Sequence, residues 1–139
     1  MFKTITDTLA IGSNEDVQSL ENLAATGYKT VIDLCPAAEG TQLDQETVKG
    51  VGLAYLSVPV SMQTLNDETF NAFKTALQTA EKPVYTRCAS GLRAGVFTLL
   101  NLGQKEGWTK AEYLQQREAL EIPQKPNCPL ATFAESYFQ

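Results

Sequence analysis

The chain has 139 residues, 43% of them hydrophobic, enough for one domain (1–139) with a proper core. A net charge of −5 and a pI near 4.7 leave no basic stripe to neutralise phosphates, which excludes nucleic acid as a partner. Histidine is absent, so Ser-His-Asp and Cys-His catalysis, imidazole bases and histidine-held metals are excluded together.

In chain order, the opening MFKTITDTLAIG carries one lysine and no extended apolar stretch, so it does not read as a secretory signal. Lys3–Ile5 and Thr8–Ile11 read as short strands around a turn at Asp7. Ser13 with Asp16 three residues on marks a helix start; Val17, Leu20, Leu23 and Ala24 form its apolar face, and Gly27 closes it. Tyr28–Leu34 is a buried strand ended by Cys35-Pro36. Ala37–Gln45 reads as a loop, followed by a short helix to Lys49 before Gly50.

Leu53–Val60 reads as a second core strand. Thr64 through Asp67 cap a helix whose face is Phe70, Phe73, Leu77 and Ala80. Pro83–Arg87 is the next strand, and the helix after Arg93 is apolar nearly all round, which predicts burial. Thr109-x-x-Glu112 is a capping box opening a helix to about Glu121, Ile122-Pro123 stops it, and Thr132–Phe138 forms a last short helix. Strands alternating with helices predict an α/β fold with a mainly parallel central sheet, whose sites form at the carboxyl ends of strands. Cys35, Ser61 and Cys88 all fall at such ends. No apolar run is long enough to cross a bilayer, so no membrane is expected. Three cysteines without close pairing or zinc spacing fit a reducing, cytoplasmic setting better than a disulfide scaffold.

The most informative segment is PVYTR-CASGLR-AGVFTLLNL, a strand, a tight polar loop and a helix. A loop feeding a helix N-terminus points free N–H groups at whatever sits in its centre. Those groups and the helix dipole favour a thiolate at the loop's mouth, and the thiolate is the nucleophilic form. Gly91 permits the backbone turn that such a ring of N–H groups needs. Arg93 offers a planar fork that grips two oxygens of one anion. A core cysteine alone would gain nothing from the Ala-Ser-Gly turn or from the arginine.

RCASGLRAG after an apolar strand resembles the signature loop of cysteine-dependent, dual-specificity-type phosphatases. Together with VIDLCPAAEG and LAYLSVPV it is closer to the bacterial beta-lactamase-hydrolase-like phosphatase domain family, over about residues 2 to 121. The resemblance implies a phosphatase-like α/β fold with Cys88 as nucleophile, Arg93 as phosphate-binding arginine and no metal or other cofactor. The same resemblance implies that Arg87, Ala89, Ser90, Gly91 and Leu92 complete the anion loop and that the substrate is a phosphorylated protein or small molecule.

Three departures keep other readings open. Arg87 stands where these phosphatases carry histidine, Arg93 follows the cysteine by five residues rather than six, and Ala94 and Gly95 replace the hydroxyl beyond the arginine. The Cys-x4-Arg spacing also resembles rhodaneses, which implies a sulfurtransferase with a Cys88 persulfide as one alternative. A non-catalytic anion-binding or regulatory module is another. On the loop after the preceding strand, Ser61 takes the position of the general acid and Asp67 is the only acid, so Asp67 is the general-acid candidate beside its role at a helix start. Asp33 reads as structural, and Glu39 lies on a loop within reach of the site. If the strand of Cys35 neighbours that of Cys88, Cys35 becomes a redox partner able to form a reversible disulfide; its alternative is a plain buried cysteine.

Overall fold

The computed structural model describes residues 2–14, 20–122 and 128–138. Among them, β1 (Lys3–Thr6), β2 (Leu9–Gly12), β3 (Thr30–Asp33), β4 (Ala54–Ser57) and β5 (Val84–Arg87) form one sheet in the order β1-β2-β5-β3-β4. Only β1 runs antiparallel to its neighbour; β2, β5, β3 and β4 are parallel, as the alternation of strands and helices predicts. β5 lies in the middle, so the loop that leaves it emerges from the centre of the sheet's carboxyl edge.

Each strand sends alternate side chains to opposite faces. Leu9, Ile11, Ile32 and Val84 enter the larger core, covered by α3 (Asp67–Thr79), α4 (Leu92–Glu106), α5 (Lys110–Ala119) and α6 (Pro129–Glu135). Ala10, Val31 and Tyr85 face the other way, against α1 (Leu20–Thr26) and α2 (Gln45–Gly50). In α4, Val96, Phe97, Leu99 and Leu100 are all 0% exposed. Each such burial is worth roughly 1.5–3 kcal/mol, so α4 is anchored along its length and fixes the loop at its N-terminus.

Several boundaries differ from the sequence expectation. β3 is shorter than Tyr28–Leu34, and β4 is a partly exposed edge strand rather than a core strand over Leu53–Val60. Pairing nevertheless continues past β4, because Val58 and Val60 donate to the carbonyls of Asp33 and Leu34 at 2.9 Å on either side of Pro59. Ala37–Glu39 is a single 3-10 turn within the expected loop, and Asp44 caps α2 by accepting from Thr47 N–H at 3.0 Å. Asn66, within the expected cap, accepts from Thr69 N–H to start α3.

The Thr109–Glu112 capping box is present, while α5 ends at Ala119 and the chain turns through Glu121 at φ 56°. α6 starts three residues before Thr132 because Pro129 suits a first helical position. Phe133 stacks on Phe97 and Phe138 on Tyr113, so the tail aromatics dock on the core. Of the helix start expected at Ser13 and Asp16, Asp16 lies outside the described residues, as do Val17 and the stop at Pro123.

Candidate active site

β5 ends at Arg87, Cys88 follows, and Gly91 turns the chain into α4 at φ 86°, ψ −11°. This left-handed conformation is one that glycine adopts without the Cβ penalty other residues carry. It aims the Gly91 N–H at Cys88 Sγ over 3.1 Å, and the Ala94 N–H reaches the same sulfur at 3.4 Å. The sulfur therefore rests on backbone donors at the positive end of a 15-residue helix. Ser90 is exposed and its hydroxyl accepts from Leu92 N–H at 3.2 Å, while the Ala89 carbonyl accepts from Asn14 N–H at 3.0 Å. Cys88 itself is 0% exposed.

Arg93, on the first turn of α4, is 8% exposed and points back across the carboxyl edge. Both its terminal nitrogens donate to Glu39, at 2.8 and 2.9 Å, and Nη1 also donates to the Val60 carbonyl at 2.7 Å. Burial works against the guanidinium charge, but Glu39 and the neighbouring Cys88 outweigh it and raise the Arg93 pKa. Glu39 thus reaches the site from a turn 54 residues away in sequence. Sequence placed it within reach, but the pairing itself had no local signal.

Arg87 is held by groups outside the cysteine loop. Its Nη1 donates to Asp33 at 3.0 Å and to the Thr41 carbonyl at 3.0 Å, and it approaches Cys35 Sγ at 3.7 Å. Its Nη2 donates to Asn14. Asp33 also accepts from Tyr55 Oη, from Leu43 N–H and from Cys35 N–H. The expected structural role of Asp33 is what the geometry shows. Arg87 is a member of that buried network, which ties β3, β5 and the 35–43 loop together. Asn14, Thr41 and Tyr55 were not singled out in the sequence; an aspartate inside VIDL and an arginine ending PVYTR, both needing partners on burial, were the available signal.

Cys35 and Cys88 follow adjacent parallel strands in which Asp33 pairs with Arg87. Both are buried free thiols. Burial pushes the Cys35 thiol up, opposed only in part by Thr41 and Arg87, with Asp33 and Cys88 adding to the rise. Asp67 is exposed at the start of α3 and accepts from Tyr137 Oη; among the described residues no hydrogen bond joins it to the cysteine loop. Ser61 caps the 3-10 turn Met62–Thr64, directly after the carbonyl that holds Arg93. Among the described residues, no group of three His, Cys, Asp or Glu side chains is placed to hold a metal ion, and no helix is long and apolar enough to cross a membrane.

This architecture is shared with solved structures of phosphatases and phosphatase-like proteins, and the present chain has a phosphatase-like α/β fold. The structure of Pseudomonas aeruginosa TpbA superposes with a TM-score of 0.79 at 20% identity, covering 97% of this chain and 83% of that one. A second structure of that protein, in complex with phosphotyrosine, covers 99% of this chain and 81% of that one, at 20% identity and a TM-score of 0.75. The DUF442 phosphatase of Shewanella putrefaciens covers 99% of this chain and 93% of its own, at 22% identity and a TM-score of 0.76. More specifically, the chain belongs to the family of the beta-lactamase hydrolase-like protein, phosphatase-like domain, whose family model matches residues 1–106. The beta-lactamase hydrolase-like protein of Xylella fastidiosa is 34% identical over 95 residues, 65% of this chain but 22% of that protein. The chain thus spans less than a quarter of the length of this curated relative.

Proposed function

We propose that the chain hydrolyses phosphoric monoesters through a phosphocysteine. The Cys88 thiolate attacks phosphorus, an S–P bond forms as the P–O bond to the leaving group breaks, and the leaving oxygen takes a proton. Water then attacks the phosphocysteine, releasing inorganic phosphate and restoring the thiolate. Arg93 and the N–H groups of the 88–94 loop hold the equatorial oxygens, where charge develops. The observation that carries this reading is the pair of backbone N–H groups converging on Cys88 Sγ at the start of α4. The phosphotyrosine held by the Pseudomonas neighbour supports a phosphorylated substrate, protein or small molecule.

Asp67 is the acid proposed for poor leaving groups, after release from Tyr137. An activated aryl phosphate needs little help from an acid, so it is the first substrate to assay. Turnover by the wild type that Cys88→Ser abolishes is the expected result; an inactive wild type overturns the proposal. The Cys-x4-Arg spacing favours sulfur transfer as the second reading, for which a persulfide mass shift confined to Cys88 after thiosulfate is the test.

A further inference from the structure

Lys74, Lys82 and Lys105 line one cavity of about 530 Å³ at the end of the molecule opposite the cysteine loop. β2 and β5 run parallel, and the pair Leu9 and Val84 marks their amino-terminal ends. Leu9 lines the cavity, as does Lys82, which directly precedes β5 with Pro83 between. The last two turns of α4 supply a wall through Asn101, Leu102, Gln104 and Lys105. Arg93 sits on the first turn of that helix, about 17 Å along the axis from Gln104. Neither Cys88 nor Arg93 lines the cavity.

Three chemistries meet in this lining. Leu9, Leu77 and Leu102 make it apolar in part, and Gln78, Asn101 and Gln104 add amides, each with donors and an acceptor. The three lysines are set against one acid, Glu106. Among the described residues none of these lysines is ion-paired, whereas Lys3 and Lys110 pair with Glu121 and Glu135. In a chain of net charge −5, uncompensated positive charge is gathered here. Two of the ammonium groups are held in place by neutral partners. Lys74 Nζ donates to Gln104 Oε1 at 3.0 Å, joining α3 to α4, and lies 5.5 Å from the Phe70 ring centroid. Lys82 Nζ donates to the Leu77 carbonyl at 2.9 Å and to the Ala80 carbonyl at 3.5 Å. Such partners orient an ammonium without cancelling its charge.

We propose that this cavity is a second ligand site, for a nucleoside diphosphate. Its volume falls in the range of about 300–1,000 Å³ in which small organic molecules bind. Lysines supply the charge that a diphosphate requires, and the leucines give a planar base an apolar surface. An Asn or Gln amide matches the paired donor and acceptor on the edge of a purine. Free phosphate would leave the leucines and amides unused. The inference goes beyond the phosphatase reading and does not depend on it.

Binding is read by isothermal titration calorimetry, with ADP, pyrophosphate and adenosine as probes. The full chain carries Cys88→Ser throughout, so that no hydrolysis of a probe enters the heat. ADP is expected to bind at a single site, with pyrophosphate and adenosine each about tenfold weaker or more. Lys82→Gln and Lys105→Gln should each weaken ADP about fivefold, and together about twenty-fivefold. Glu106→Gln should tighten it about twofold or more, a gain that a damaged fold cannot produce. Lys49→Gln, an exposed and unpaired lysine on α2, should change nothing.

No heat of binding with ADP at about 1 mM overturns the proposal. Pyrophosphate bound as tightly as ADP overturns it as well, because the lysines then act as bare charge. ADP binding that survives the double lysine substitution belongs to another anion site, such as the cysteine loop, and has the same consequence. So does a loss on Lys49→Gln equal to that on Lys82→Gln, or weaker binding by Glu106→Gln. Turnover of an aryl phosphate by the protein that retains Cys88 is a separate measurement, so either reading can fail while the other stands.

Discussion

Asp33 and Arg87 meet across the last register pair of β3 and β5, with 0% and 6% of their side-chain surfaces exposed. Taking one charge from a buried pair leaves the other uncompensated, which costs about 3–5 kcal/mol. Asp33→Asn is therefore expected to lower stability by about that much in urea unfolding, with Arg87→Met/Asp33→Asn less destabilised than the sum of the singles. This pair also shows how far a sequence can be read at single positions. VIDL announces a structural acid, whereas Arg87 reads as part of the anion loop; that the two meet depends on β5 lying between β2 and β3, which no local pattern states. Cys88, Gly91 and Arg93 were legible because their chemistry is compressed into one strand-loop-helix turn. Glu39 on Arg93 and Tyr137 on Asp67 are contacts between distant surface segments, for which neither periodicity nor capping carries a signal.

At the level of elements, the helices with strong local chemistry were the readable ones. Asn66 and Thr109 cap α3 and α5 within the expected segments, whereas strand ends were set by pairing and drifted by one to three residues. The C-terminal end of α4 depends on close contact. A Cβ added at Gly103 would lie 2.8 Å from both the Phe138 ring and the Trp108 indole, each packed against the core. Both rings would have to move, so Gly103→Ala is expected to cost about 1–3 kcal/mol despite the better helix propensity of alanine. Thermal unfolding measures it, and an unchanged or higher midpoint would show that Phe138 and Trp108 yield freely.

Across the whole molecule, protonated tyrosines link stability to alkaline pH. Burial and the Asp33 carboxylate push Tyr55 up to about 12, and Tyr113 and Tyr137 move in the same direction. The folded chain keeps protons that the unfolded chain releases near pH 10, so stability is full below about pH 10 and falls between about pH 10 and 12. The urea midpoint should decline over that window, and Tyr55→Phe should flatten part of the decline; an identical slope in the variant would assign the loss to other groups. The same global view gives the family match a physical edge. It stops at residue 106, the last residue of α4, yet Tyr113, Leu130 and Ala134 beyond it are 0% exposed against the core that α4 shares. The segment that the family model matches is therefore not by itself a sealed body in this chain. The helices that follow roof the outer side of α4 with apolar side chains, and that roof can change its packing without touching the cysteine loop.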